Sequence, residues 1–131
     1  MDGTAKAAAR ILIVDDVAVN REILKRRLVR RGFEIVEAGG GREALETIER
    51  DPIDIVLLDI MMPEIDGLEV VRTVRKTRSP TDLPIIMVSA RSFSEDVTQS
   101  LELGANDYVT KPVDFEATLA VIHRELGRKT A

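Results

Sequence analysis

The sequence predicts an α/β domain built on a parallel sheet with helices packed on both of its faces. Three observations point that way. Five short apolar runs alternate strictly with five helix-like segments, the order that βαβ units require. The central runs are nearly unbroken and rich in β-branched residues, as in strands buried on both faces. Four of the five runs also stop at a polar residue, at the edge where open parallel sheets hold their ligands.

Taken in order, Ile11 to Val14 is the first strand. A helix is expected from Asn20 to Arg31, capped by Asn20, carried by Leu24 and Leu28, and stopped by Gly32. Glu34 to Ala38 is flanked by glutamates and reads as an edge strand. Gly39-Gly40-Gly41 turns into a helix through Ala44, Leu45 and Ile48 to about Arg50. Ile55 to Leu58 is the central strand, and it ends abruptly at Asp59. Pro63 and Asp66-Gly67 mark a loop, and the next helix runs from Gly67 to about Thr77.

Pro84 opens a fourth strand, Ile85 to Val88, ending at Ser89-Ala90. Ser92 and Glu95 fit a capping box for a helix stopped by Gly104. Asp107 to Thr110 is a less apolar fifth strand that runs into Lys111-Pro112. The last helix begins at Asp114 and spaces Phe115, Leu119, Ile122 and Leu126 at helical intervals. Right-handed crossovers then leave few topologies.

Composition narrows the function. At 131 residues the chain is long enough for one domain with a real core. With no cysteine, disulfides and thiolate metal sites are excluded and a reducing cytoplasm suits it. No apolar run reaches membrane-spanning length and no signal peptide is recognisable, so no membrane association is expected. A net charge of −4 and only one tyrosine and three phenylalanines argue against direct nucleic-acid binding. Residues 1–9 read as a lead-in, residues 10–127 as the domain and residues 128–131 as a tail.

The strand ends carry the chemistry. Asp15 and Asp16 follow the first strand, Asp59 the third, Ser89 the fourth and Lys111 the fifth. In a parallel sheet these positions share one edge. Three carboxylates in one pocket repel unless a cation intervenes, and an all-oxygen donor set suits magnesium. One carboxylate could then act as a nucleophile toward a phosphoryl group, with the Ser89 hydroxyl and the Lys111 ammonium meeting its other oxygens.

Asp15-Asp16, the Asp59…Met62-Pro63…Asp66-Gly67 block, Ser89-Ala90, Tyr108 and Lys111-Pro112 resemble the receiver domain of two-component response regulators, from about Arg10 to Leu126. The resemblance implies a flavodoxin-like sheet of order 2-1-3-4-5. It implies that Asp59 takes a phosphoryl group from a phosphohistidine on a histidine kinase or phosphotransfer protein. Asp15, Asp16, Asp59 and the Met61 backbone carbonyl would hold Mg2+. Ser89 and Lys111 would contact the phosphoryl group, and Tyr108 would move inward with Ser89. The Lys111-Pro112 bond would be cis.

The same resemblance implies an output through the fourth helix, fifth strand and fifth helix, toward an unknown output domain or target. It leaves a phosphorylation-dependent homodimer open. Met61 and Arg91 stand where receivers tune dephosphorylation, and neither would orient an attacking water, so a long-lived phosphate is expected. Met62 is read as core filler. The basic first helix, with Arg21, Lys25, Arg26, Arg27, Arg30 and Arg31, is either a solvated face or the docking site of the phosphodonor. Two rival readings remain: a degenerate receiver serving as a constitutive binding module, and a small phosphohydrolase with Asp59 as nucleophile. The second lacks a second acid two residues after Asp59 and room for a cap.

Overall fold

The computed structural model describes residues 8–90 and 94–130. Strands β1 (Arg10–Val14), β2 (Glu34–Ala38), β3 (Ile55–Leu58), β4 (Ile85–Ser89) and β5 (Asp107–Thr110) alternate with helices α1 (Ala18–Val29), α2 (Gly41–Arg50), α3 (Gly67–Val74), α4 (Ser94–Leu103) and α5 (Phe115–Thr130). All strand pairs are parallel, in the order β2-β1-β3-β4-β5. β3 and β4 are buried throughout, while β2 and β5 are half-buried at the two edges.

Side chains alternate across the sheet and divide the core in two. Leu12, Val14, Val56, Leu58, Ile85 and Met87 pack with Ala44, Ile48, Val70 and Val71 from α2 and α3. Ile11, Ile13, Ile55, Leu57, Ile86 and Val88 pack instead with Leu28 of α1 and Phe115, Leu119 and Ile122 of α5. Helices therefore cover both faces, as the unbroken apolar runs require. Met62 is 8% exposed and belongs to the first of these clusters.

The boundaries differ from the sequence expectation where capping is decided by contacts. α1 begins two residues before Asn20, after Val17, which supplies no side-chain cap. The Asn20 amide instead donates to the Asp15 carboxylate at 3.4 Å. α1 closes at Val29, and Gly32 takes a left-handed φ of 93° beyond it. Asp66 caps α3 by accepting from the Glu69 N–H at 2.9 Å, but that helix ends at Val74, short of Thr77. α5 continues through Gly127 to Thr130, where a tail was expected. Its last turn is tied down by Lys129, whose Nζ donates to the Asp54 carbonyl at 3.0 Å. The Ser92 cap and Arg91 lie outside the described residues. Among the described residues, no helix is long and apolar enough to cross a membrane.

Candidate functional site

The sheet register brings the strand ends together. Val14 stands beside Leu58, Leu58 beside Met87, and Ser89 beside Thr110. Main-chain bonds carry the ladder one residue further: the Asp59 N–H donates to Val14 O at 3.0 Å and the Lys111 N–H to Ser89 O at 2.8 Å. Asp59 thus leaves the sheet beside Asp15, and Lys111 leaves it beside Ser89, one strand further along the same edge. Carboxylate oxygens of Asp15, Asp16 and Asp59 all lie within 4.8 Å of one another. Asp15 and Asp59 are buried and Asp16 is exposed.

Lys111 holds this cluster together. Its Nζ donates to Asp15 Oδ2 at 2.8 Å and to Asp59 Oδ2 at 3.1 Å. The Val17 N–H donates to Asp15 Oδ1 at 2.9 Å and the Met61 N–H to Asp59 Oδ1 at 3.2 Å. Burial pushes the Asp59 carboxyl above its ordinary pKa, and the charge of Asp15 adds to this. The bonds from Lys111 and the Met61 N–H offset only part of it. Burial alone would disfavour the Lys111 ammonium, but its bonds to Asp15 and Asp59 outweigh that and hold its pKa above the usual lysine value.

Ser89 is fully buried at the end of β4. Tyr108 is half-buried on β5 and packs against the core on the α2–α3 side of the sheet. The Met61 side chain is 57% exposed beside Asp59. The Lys111-Pro112 peptide bond is cis. An all-oxygen set of three carboxylates, two of them buried, fits a hard divalent cation such as Mg2+, which takes one or two carboxylates and keeps several waters.

Two further residues stand near the cluster that the sequence pattern does not mark as part of it. Asn20 reads as a helix cap and Arg21 as one of a charge run. Both reach Asp15 because α1 starts earlier than expected, at Ala18. Their spacing of five and six residues after Asp15 is the signal that an earlier helix start would have made readable.

A groove of about 580 Å³ opens beside the cluster, with Ile23, Leu24, Arg27, Pro112, Val113 and Phe115 among its lining. Arg27 stacks 4.2 Å from the centre of the Phe115 ring. Much of the basic run is paired: Arg21 and Lys25 with Glu37, Arg26 with Glu22, Arg31 with Glu116. Arg27 and Arg30 meet no carboxylate among the described residues.

The family model of the response regulator receiver domain matches residues 11–123. The response regulator MprA of Mycolicibacterium vanbaalenii is 45% identical over 121 residues, covering 92% of this chain and 52% of that protein. The CheY-like response regulator receiver domain protein of Methanospirillum hungatei superimposes with a TM-score of 0.87 at 32% identity, covering 94% of this chain and 97% of that one. A probable two-component system response regulator/GGDEF domain protein gives a TM-score of 0.88 at 33% identity, covering 94% of this chain and 51% of that one. The chain spans about half the length of the curated relatives it matches.

Proposed function

The chain belongs to the response regulator receiver domain family, and we propose that within this phosphorylation-dependent signalling family its phosphoacceptor is Asp59. Receiver domains of this family are signalling switches, not turnover enzymes. The observation that carries the assignment is the meeting of Asp15, Asp16 and Asp59 oxygens within 4.8 Å, with Lys111 bonded to two of the three acids.

The donor is a phosphohistidine on a histidine kinase or phosphotransfer protein. A carboxylate oxygen of Asp59 attacks phosphorus as the P–N bond breaks, and the departing imidazole nitrogen keeps the electron pair and takes up a proton. Asp15, Asp16, Asp59 and the Met61 main-chain carbonyl would hold Mg2+, which supplies neutralisation of the phosphoryl charge. Lys111 donates to a phosphoryl oxygen once it is released from Asp59, and the Ser89 hydroxyl donates to another. Burial of Asp59 excludes competing water and keeps these few charges strongly felt.

The product carries two negative charges and new acceptor atoms in a buried pocket. Ser89 and Tyr108 pass that change to the α4, β5 and α5 face, favouring one of two packings close in free energy. That face meets an output domain or target protein in the cytoplasm, or a second copy of the chain. α1 and the neighbouring groove receive the phosphodonor, with Arg27 and Arg30 steering it.

Acetyl phosphate with Mg2+ tests the assignment by mass spectrometry of the intact chain. One phosphoryl group is expected on the wild type and none on Asp59→Asn. Equal labelling of both would overturn it. Beryllofluoride with Mg2+ is further expected to shift NMR signals from residues 95–103 and from Tyr108; an unchanged spectrum there would remove the proposed output face.

A further inference from the structure

Asp16 occupies an exposed position, yet its carboxylate has to converge with two buried acids. It makes no side-chain hydrogen bond or ion pair with another described residue. Its direction is therefore set by the backbone on either side of it. On one side, the Val17 N–H is held by Asp15 Oδ1 at 2.9 Å. On the other, the peptide joining Asp15 to Asp16 is held through its carbonyl oxygen, and the group that holds it is Arg21.

The Arg21 side chain is 19% exposed. Its Nη1 donates to the Asp15 carbonyl at 2.6 Å, and its Nε donates to Glu37 Oε1 at 3.0 Å. One planar group thus ties the turn after β1 to the edge strand β2. Glu37 is itself steadied from its other oxygen by Lys25 Nζ at 3.4 Å. A guanidinium presents these donors in a rigid fork, whereas an ammonium on a flexible stem cannot reproduce both directions.

We propose that Arg21 is a positioning residue for divalent-cation binding: by gripping the Asp15–Asp16 peptide through Glu37, it holds Asp16 toward Asp59 before the cation arrives. The inference rests on the carboxylate cluster being the Mg2+ site. Geometry and charge predict opposite signs here, which makes the role separable. A positive group beside the site repels Mg2+, so losing it would tighten binding if charge alone mattered. Losing the grip releases Asp16 and weakens binding, as removal of groups that orient metal ligands commonly does.

Isothermal titration of Mg2+ into the chain, with thermal melts of each variant, decides the matter. Arg21→Met is expected to weaken Mg2+ binding by roughly 10-fold. Arg21→Lys keeps the charge without the fork and is expected to remain weakened. Glu37→Gln, which leaves the turn residues untouched, is expected to lie between the wild type and Arg21→Met. In NMR spectra of the cation-free chain, the Asp16 and Val17 amide signals should shift or broaden in the same order. If Arg21→Met fails to fold, Arg21→Lys carries the test, because it removes the fork while leaving the charge unchanged. Wild-type affinity or tighter binding in Arg21→Lys and Glu37→Gln would overturn the role of Arg21 while leaving the site intact. No Mg2+ binding by the wild type would overturn the site and this inference together.

Discussion

Gly67 sits so close to Asp59 that a β-carbon at position 67 would lie 2.2 Å from the Asp59 carbonyl oxygen. The Gly67 N–H also donates to Ile60 O at 2.8 Å, closing the loop between β3 and α3 directly beneath the cluster. No real β-carbon tolerates that distance, and the obstacle is backbone, so a substitution must displace the chain at Asp59. Gly67→Ala is expected to cost about 1–3 kcal/mol of stability, in the range of overpacked sites. It should also slow labelling by acetyl phosphate. Chemical denaturation of the variant checks the first expectation and intact mass the second; wild-type values in both would show that the loop adapts without moving Asp59.

The proposed Mg2+ site would also couple the cation to stability. A cation bound only by the folded chain stabilises it by mass action, by about 2.7 kcal/mol at a free concentration roughly 100-fold above the dissociation constant. Circular-dichroism melts with and without Mg2+ should show this gain in the wild type. The gain should shrink in Asp59→Asn, which removes one charged ligand. An equal gain in the variant would exclude Asp59 from the ligand set.

Met61, whose N–H donates to the proposed acceptor Asp59, presents an exposed apolar side chain. It offers no group that could orient an attacking water, so the aspartyl phosphate is expected to last minutes or longer. Met61→Asn or Met61→Glu should shorten that lifetime severalfold by supplying a hydrogen-bonding group there. Following loss of the phosphoryl group by intact mass after removal of the donor measures both quantities. Loss from the wild type in less than about a minute would contradict the expectation.

Arg27 and Arg30 are the cations of α1 left without carboxylate partners among the described residues. Reversing them to Glu should slow transfer from a phosphorylated protein donor by about tenfold or more at low salt, with the difference narrowing as salt rises. Labelling by acetyl phosphate should hardly change, since that small donor needs no docking face. An equal slowing with both donors would mean that the substitutions damage the site instead.

What could be read directly was whatever depends on local pattern. The unbroken run Ile55 to Leu58 implied a strand covered on both faces, and both core clusters bear this out. The glutamates around β2 implied an edge, where it lies. Asp15, Asp16, Asp59 and Lys111 group from their places after the first, third and fifth apolar runs, because parallel strands put such positions on one edge. The order 2-1-3-4-5 came from family resemblance, since alternation alone leaves the order open.

Contacts between segments decided the remainder. Asn20 was a sound cap by its chemistry, yet the turn after β1 lets α1 start at Ala18 and turns that amide toward Asp15. Gly127 would ordinarily weaken a helix end, but Lys129 reaches Asp54 and α5 continues to Thr130. Arg21 looked like its basic neighbours until its guanidinium met Glu37 and the Asp15 carbonyl. Which elements form and which residues share an edge is legible in the chain's local pattern, because burial period and strand polarity are local properties. Which donor meets which acceptor emerges when the segments pack, because hydrogen-bond directions depend on distances between parts far apart in the chain, to within a few tenths of an ångström.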